Sequence, residues 1–346
     1  MCAGTCRCAN VIVNDDFHIG LLCSVPNLVG GRTPGIYYRS GMADLSREEF
    51  FDQLAHLRKA NFAGGGRSPY KPLLLLWVLG QIRAGHGNEF VYAEVEEKVS
   101  AIIDAFSPVT HNKSPNKYRA ELPFFHLEAS LWTLSGDGEL GKASRGVLRK
   151  NNAIGKLSEN VESLLQREPQ LIEEAARFLV ETHFTDSYLE PIFAAIGLEI
   201  SSSSVSGYSI EIDKPKRDPK FRNSVLIAWR KQCAMCGYDG ELANSSVGLE
   251  AAHVKWFSQG GPDVLENGLA LCELHHALFD LGVIGISQEF RIEISDGFIG
   301  KSESSKRLVY DLHGKELLTP APNKPMPSLD FISWHMHEVF RDKSLV

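Results

Sequence analysis

From residue 46 onward, apolar residues recur at helical spacing. Ser46 and Glu49 have the spacing of a capping box. The helix they open places Phe50, Phe51, Leu54 and Leu57 on one face. AGGGRSPYKP is a loop, and Pro72 suits the first turn of the helix after it. Leu73 to Leu79 is apolar on every side, the pattern of a helix buried at the centre of a domain. Residues 91–106 predict a third helix with Val95, Val99, Ile102 and Phe106 inward. HNKSPNKYR is a polar loop, and PFFHLEASLWTL reads as two short strands about a turn. Residues 157–196 are again helical in period, broken at Pro169 and near Asp186.

Past the Ser-rich stretch SSSSVSG the pattern changes. LEAAH is a short apolar strand ending in His253, and SQGGPD is a polar, Gly-rich turn. ENGLALCELHHALFD runs from a second strand into an amphipathic helix. The unit is therefore ββα. Residues 301–330 are polar and Pro-rich, and SWHMHEVF closes as a short helix with His335 and His337 on its surface. Residues 1–41 hold Cys2, Cys6, Cys8, Cys23 and GGRTPG without any lasting period. MADLSREEFFDQL, from Met42, reads as a natural start, so 1–41 is expected to be disordered or to precede the true start. The expected class is α+β. A mainly helical, winged-helix-like domain spans 42–200, with the strand pair as its wing. A flexible linker at 201–216 leads to the ββα domain at 217–300, and a tail at 301–346 packs on that domain.

Composition adds partners and compartment. The 346 residues carry a formal charge of −7, which argues mildly against a nucleic-acid binder. The cations are nevertheless clustered. Lys113, Lys117 and Arg119 form one group, and Lys142, Arg145, Arg149, Lys150 and Lys156 a second. Lys214, Lys216, Arg217, Lys220, Arg222, Arg230 and Lys231 form a third, beside the ββα unit. A cation run is usually a solvated face, but three of them raise the odds of phosphate contact. Three of the seven cysteines stand in a metal pattern, which suits a reducing cytoplasm better than a disulfide scaffold. No run has the ~20 apolar residues of a membrane span, and no basic start followed by an apolar run marks a signal peptide.

The chemistry sits in the ββα unit. Cys233-Ala-Met-Cys236 and Cys272-Glu-Leu-His275 are two matched knuckles of the kind that hold tetrahedral Zn²⁺. All four ligands are protein groups, so the zinc is expected to be structural. What remains is the order of groups a one-metal nuclease needs. His253 is the expected general base, taking a proton from the water that attacks phosphorus. His276 follows a zinc ligand on the same helix, so it points about 100° away, toward a second metal, Mg²⁺ or Mn²⁺. Asn267 is expected to hold the loop against the imidazole and orient it.

LEAAHV, ENGLALC and LHHALFDLG make residues 217–300 resemble the HNH (ββα-metal) endonucleases, in the branch found in modification-dependent restriction enzymes. Many members place an acidic residue or histidine directly before the base as a metal ligand. This chain has Ala252 there. Side chains alternate along a strand, so Glu250 faces the side of position 252 and is the candidate replacement, with a solvated strand carboxylate as the other reading.

RSPYKPLLLL and PFFHLEASLW make residues 45–195 resemble the sulfur-binding domain of restriction endonucleases that recognise phosphorothioated DNA. The resemblance implies a backbone grip from Arg67, Tyr70 and Lys71, joined by the basic Arg119. It also implies an apolar cup from Pro123, Phe124, Phe125 and His126. The family often has Tyr before the proline, where this chain has Leu122. Sulfur is softer and less strongly hydrated than oxygen, so a dry cup favours it, whereas an oxygen would lose bound water there. The expected function is a phosphorothioate-dependent DNA endonuclease acting on double-stranded DNA. A homodimer on DNA is one way to supply a site for each strand. The alternatives are an HNH nuclease reading a methylated base or unmodified DNA, and a zinc-containing DNA-binding protein without catalysis.

Overall fold

A computed structural model of the chain describes residues 44–60, 67–107, 119–199, 218 and 220–341. The stretch 1–41, the linker 201–216 and the cations Lys113, Lys117, Lys214, Lys216 and Arg217 lie outside the described residues. Among the described residues, no helix is long and apolar enough to cross a membrane.

The N-terminal part is helical around one apolar element. Helix α1 (Arg47–Ala55) opens on the expected capping box, with the Ser46 hydroxyl accepting from the Glu49 N–H at 3.1 Å. Helix α2 (Tyr70–Arg83) has Pro72 in its first turn and buries every side chain from Leu73 to Leu79. Around it pack α3 (Tyr92–Phe106), α4 (Glu121–His126), α7 (Leu171–His183) and α8 (Leu189–Ile196). Helices α5 (Arg145–Lys150) and α6 (Glu159–Arg167) complete this part. The breaks expected near Pro169 and Asp186 separate α6, α7 and α8, with a 3-10 turn at Asp186–Tyr188.

A small antiparallel sheet has the order β1-β3-β2, with β1 at Phe90–Val91, β2 at Trp132–Ser135 and β3 at Ile154–Leu157. The two-strand reading of PFFHLEASLWTL is corrected here. PFFH lies in α4, and only Trp132–Ser135 is a strand, paired with β3. Pro123 sits in the first turn of α4, where its missing N–H costs nothing. Phe124 is fully buried, its ring edge-on to Tyr92 and Trp132 at 5.1 and 5.5 Å, and its carbonyl accepts the Trp132 indole N–H. Aromatic content favoured strand, and tertiary packing overrode it.

The C-terminal part has its own core. The pairs β4 (Glu241–Leu242) with β5 (Ser245–Ser246), and β6 (Leu249–His253) with β7 (Gly268–Cys272), are both antiparallel. Helix α9 (Phe221–Ala228) packs on β6 and β7, and α10 (Glu273–Asp280) follows β7 directly. The hairpin of β8 (Ile284–Ile286) and β9 (Ile292–Ile294) extends this core, and α11 (Glu303–Leu308) opens the tail.

The tail packs more widely than expected. Helix α12 (Leu329–Glu338) sends Ile332 into the C-terminal core, while Trp334 and Val339 join the N-terminal one. Trp256, from the β6–β7 loop, also lies in the N-terminal core, edge-on to Tyr188 at 5.4 Å and Trp334 at 5.8 Å. The surface reading of His335 is overturned. It is 1% exposed, stacks on Phe279 at 3.7 Å and donates to the Phe279 carbonyl, and burial pushes its pKa down to about 3. His337 is surface-exposed as expected.

Candidate active site and metal centre

The two knuckles meet. The ligand atoms of Cys233, Cys236, Cys272 and His275 all lie within 4.8 Å of one another. A tetrahedral zinc with Zn–S bonds near 2.3 Å needs sulfurs about 3.8 Å apart. The His275 Nε2–H donates to the Leu308 carbonyl at 2.8 Å, which turns Nδ1 toward Cys233 and Cys272 at 3.5 and 3.2 Å. An outer partner of this kind fixes the tautomer of a ligating histidine. The thiols of Cys236 and Cys272 hold Cys233 far below its ordinary pKa, and the same crowding pushes Cys236 up. Burial opposes charge on His275, yet the two sulfurs outweigh it and draw a proton to the ring, raising its pKa to about 10. Three sulfurs and one imidazole nitrogen gathered this closely suit a closed zinc site.

His253 ends β6, its ring stacked on Phe221 of α9 at 4.3 Å and 16°. Its Nε2 lies 2.7 Å from Asp263 Oδ1, and the two side chains are only 11% and 12% exposed. The other Asp263 oxygen accepts the Asp218 N–H at 2.6 Å. Asp263, in the Gly-rich turn, therefore orients the imidazole. Of the two tasks expected of Asn267, holding the loop and orienting the ring, its hydrogen bonds serve the first: fully buried, it accepts from the Lys255 N–H and donates to the carbonyls of Lys255 and Pro262 at 2.8, 3.0 and 3.0 Å. The turn is so tight that a Cβ on Gly261 would sit 1.8 Å from the Lys255 carbonyl oxygen.

His276 points away from the thiols. Its Nδ1 is 2.6 Å from Glu250 Oε2, across from β6, and its Nε2 is 3.4 Å from Asp280 Oδ2, one turn along α10. Burial would lower the His276 pKa, but Asp280, Glu250 and Asp186 outweigh it and raise it. The His276 bond in turn lowers Glu250. A carboxylate and an imidazole in contact at a partly exposed position could serve as donors to a divalent ion. Asp263 and Asp280 escaped the sequence reading. Asp263 sits in a turn that favours Asp for its own sake. Asp280, at i+4 from His276, carried a usable signal.

The expected sulfur and phosphate contacts are only partly brought together. Tyr70 hydrogen-bonds Arg119, which also pairs with Asp104 at 3.3 Å. Phe125 is half-buried and His126 exposed, their rings 4.9 Å apart on α4. Phe124, by contrast, is a core residue and not a wall of the cup, and Pro123 is buried beside it. Lys71 is paired with Glu128 at 2.6 Å. The backbone of Arg67 exchanges hydrogen bonds with the Gln259 side chain of the β6–β7 loop. In the second cation group, Arg145 and Arg149 both bind the buried Glu96, which makes them structural. A cleft of about 1370 Å³ runs between Lys59 and Arg67 on one side and Lys255 and Phe257 on the other.

Residues 47–201 match the model of the ScoMcrA-like DNA sulfur-binding domain, and residues 233–287 match that of HNH endonucleases. No curated protein matches the chain. Among solved structures, the sulfur-binding domain of SprMcrA complexed with phosphorothioated DNA is 26% identical with a TM-score of 0.36, covering 45% of this chain and 98% of that one. The corresponding ScoMcrA domain complex is 20% identical with a TM-score of 0.35, over 43% and 95%. The type IV phosphorothioation-dependent restriction endonuclease ScoMcrA is 13% identical with a TM-score of 0.32, over 66% and 94%.

Proposed function

Because this chain is an HNH endonuclease joined to a ScoMcrA-like DNA sulfur-binding domain, we propose that it hydrolyses DNA in response to phosphorothioate linkages. The observation that supports the reading is that one ββα frame carries the His253–Asp263 pair, the Glu250–His276 pair and the Cys₃His cluster.

In this reading Cys233, Cys236, Cys272 and His275 hold a structural zinc that ties the segment before β4 to the start of α10. Glu250 and His276 would hold Mg²⁺ or Mn²⁺, which when bound would supply Lewis-acid stabilisation of the leaving 3′ oxygen. His253 is the general base. Its Nε2 is engaged by Asp263, so the proton of the attacking water passes to Nδ1. Asp263 then faces the imidazolium and steadies its charge. Asn267 keeps the loop closed so that this geometry is set before DNA arrives. Lys59, Arg67 and Lys255, among the residues lining the cleft beside Glu181 and Asp186, offer cations to a phosphate backbone.

Recognition falls to residues 42–200. Phe125 and His126 present the dry surface for sulfur, supported from below by Pro123 and Phe124. Tyr70 and Arg119 supply the neighbouring grip, with Lys71 and Arg67 behind them. Double-strand cutting is served by a homodimer on DNA. The direct test is His253→Ala, which should abolish metal-dependent cleavage and leave duplex affinity unchanged. Cleavage at the wild-type rate would overturn the assignment of the base.

A further inference from the structure

Helix α10 carries a carboxylate that the mechanism above leaves unused. Asp280 is 1% exposed and lies one helical turn past His276. Its Oδ2 is 3.4 Å from His276 Nε2 and accepts the Ser187 hydroxyl at 2.8 Å. Ser187 is not part of the nuclease. It sits in the 3-10 turn Asp186–Tyr188, between the two last helices of the N-terminal part. That turn is firmly seated, since Tyr188 is 2% exposed and its ring meets Trp256 of the catalytic loop. The recognition part thus touches the nuclease helix at the carboxylate behind His276.

The chemistry gives that contact a purpose. A histidine that ligates a metal through one nitrogen usually donates its other N–H to a carboxylate, which fixes the ring and raises its basicity. Asp280 lies 3.4 Å from Nε2 and Glu250 Oε2 lies 2.6 Å from Nδ1, so a proton kept on Nε2 by the Asp280 charge would leave the Nδ1 lone pair toward Glu250, where the proposed ion would bind. The carboxylate must itself be held, because a buried one without partners is costly. Ser187 holds it from the other domain.

We propose that Asp280 is a positioning residue for His276, and that Ser187 of the sulfur-binding domain completes it, so that the nuclease metal site is finished only where the two domains meet. The inference rests on the reading of His276 as a metal ligand. Ser187, with Thr185 beside it, thus links the segment before α8 to Asp280 and through it to His276.

The test is Mn²⁺ binding by the zinc-loaded full chain, followed by calorimetry or electron paramagnetic resonance without DNA. Ser187→Ala should weaken Mn²⁺ binding about tenfold, and Asp280→Asn by about ten- to a hundredfold, the range for lost outer partners. Ser187→Thr, which keeps the hydroxyl, should restore wild-type affinity. Affinity for a phosphorothioated duplex in the absence of Mn²⁺ should be the same in all of them. Wild-type Mn²⁺ affinity in both Ser187→Ala and Asp280→Asn, while His276→Ala loses it, overturns this inference alone. If the wild-type chain binds no Mn²⁺, or His276→Ala binds it equally well, the metal-ligand reading fails and this inference falls with it. Equal loss in Ser187→Ala and Ser187→Thr would mark a packing effect and also overturn the hydroxyl's role.

Discussion

Asp263→Asn isolates the group that orients the base. The substitution keeps the side chain's shape and leaves an oxygen able to accept the Asp218 N–H, so the loop should survive. What it removes is a charge 2.7 Å from His253 Nε2, between side chains only 11% and 12% exposed. A hydrogen bond to a charged partner contributes about 1.5–3 kcal/mol. That stabilisation is greatest when His253 has become imidazolium, so its loss falls on the cleavage step. At about 1.36 kcal/mol per factor of ten, the rate should drop roughly 13- to 160-fold. The drop grows if the new amide turns its NH₂ toward Nε2. The ring proton would then move to Nδ1, the nitrogen assigned to water, and wrong-tautomer losses in comparable triads reach ~10⁴. The assay is single-turnover cleavage at saturating Mn²⁺, with duplex affinity and thermal midpoint measured separately. Both of the latter should stay at wild-type values. A cleavage rate within threefold of wild type would refute the orienting role.

Cys233→Ser should unfold the C-terminal part, because binding free energy at a structural zinc is folding free energy. A wild-type melt with one zinc still bound contradicts this. Phe124→Ser should destabilise the N-terminal part by about 3–5 kcal/mol, the usual cost of emptying a buried aromatic site. His126→Asp, on the surface, should leave the melt alone and remove preference for phosphorothioate. The reverse pattern would put the cup on Phe124 after all. Stability should fall with acid. Burial holds His183 and His335 at about 3 in the fold. Below the unfolded value near ~6.5 the unfolded chain takes up protons that the fold refuses, a loss of up to about 1.4 kcal/mol per pH unit for each ring. Urea melts at pH 7.5 and 5 read this loss. His335→Gln should lessen it, and an unchanged pH dependence in that variant rejects His335 as a source.

Local rules carried much of this fold into the sequence. The capping box, the apolar run of α2 and the breaks around α7 all follow from patterns within one helix. The zinc knuckles were legible because four ligands in two matched pairs have little other use. The misreadings share one cause, which is partners far away in the chain. PFFH is helical because Trp132 and Tyr92 enclose Phe124. His335 is interior because α12 lies on Phe279. The Asp263 bond to the His253 ring is not legible in the sequence because a loop's hydrogen bonds depend on how it closes, and Asn267 bonds Lys255 and not the ring. No local pattern links Ser187 to Asp280, since they come from different parts of the molecule.

The central claim is that sulfur in the backbone licenses cutting. The most direct measurement uses two duplexes of one sequence, one with a phosphorothioate linkage and one without. Each is incubated with the zinc-loaded chain and Mn²⁺ at fixed salt, since phosphate contacts make any affinity salt-dependent. The account predicts cleavage of the phosphorothioated duplex, none of the unmodified one, and none of either by His253→Ala. Equal cleavage of both duplexes by the wild-type chain would contradict it and leave an HNH nuclease indifferent to sulfur.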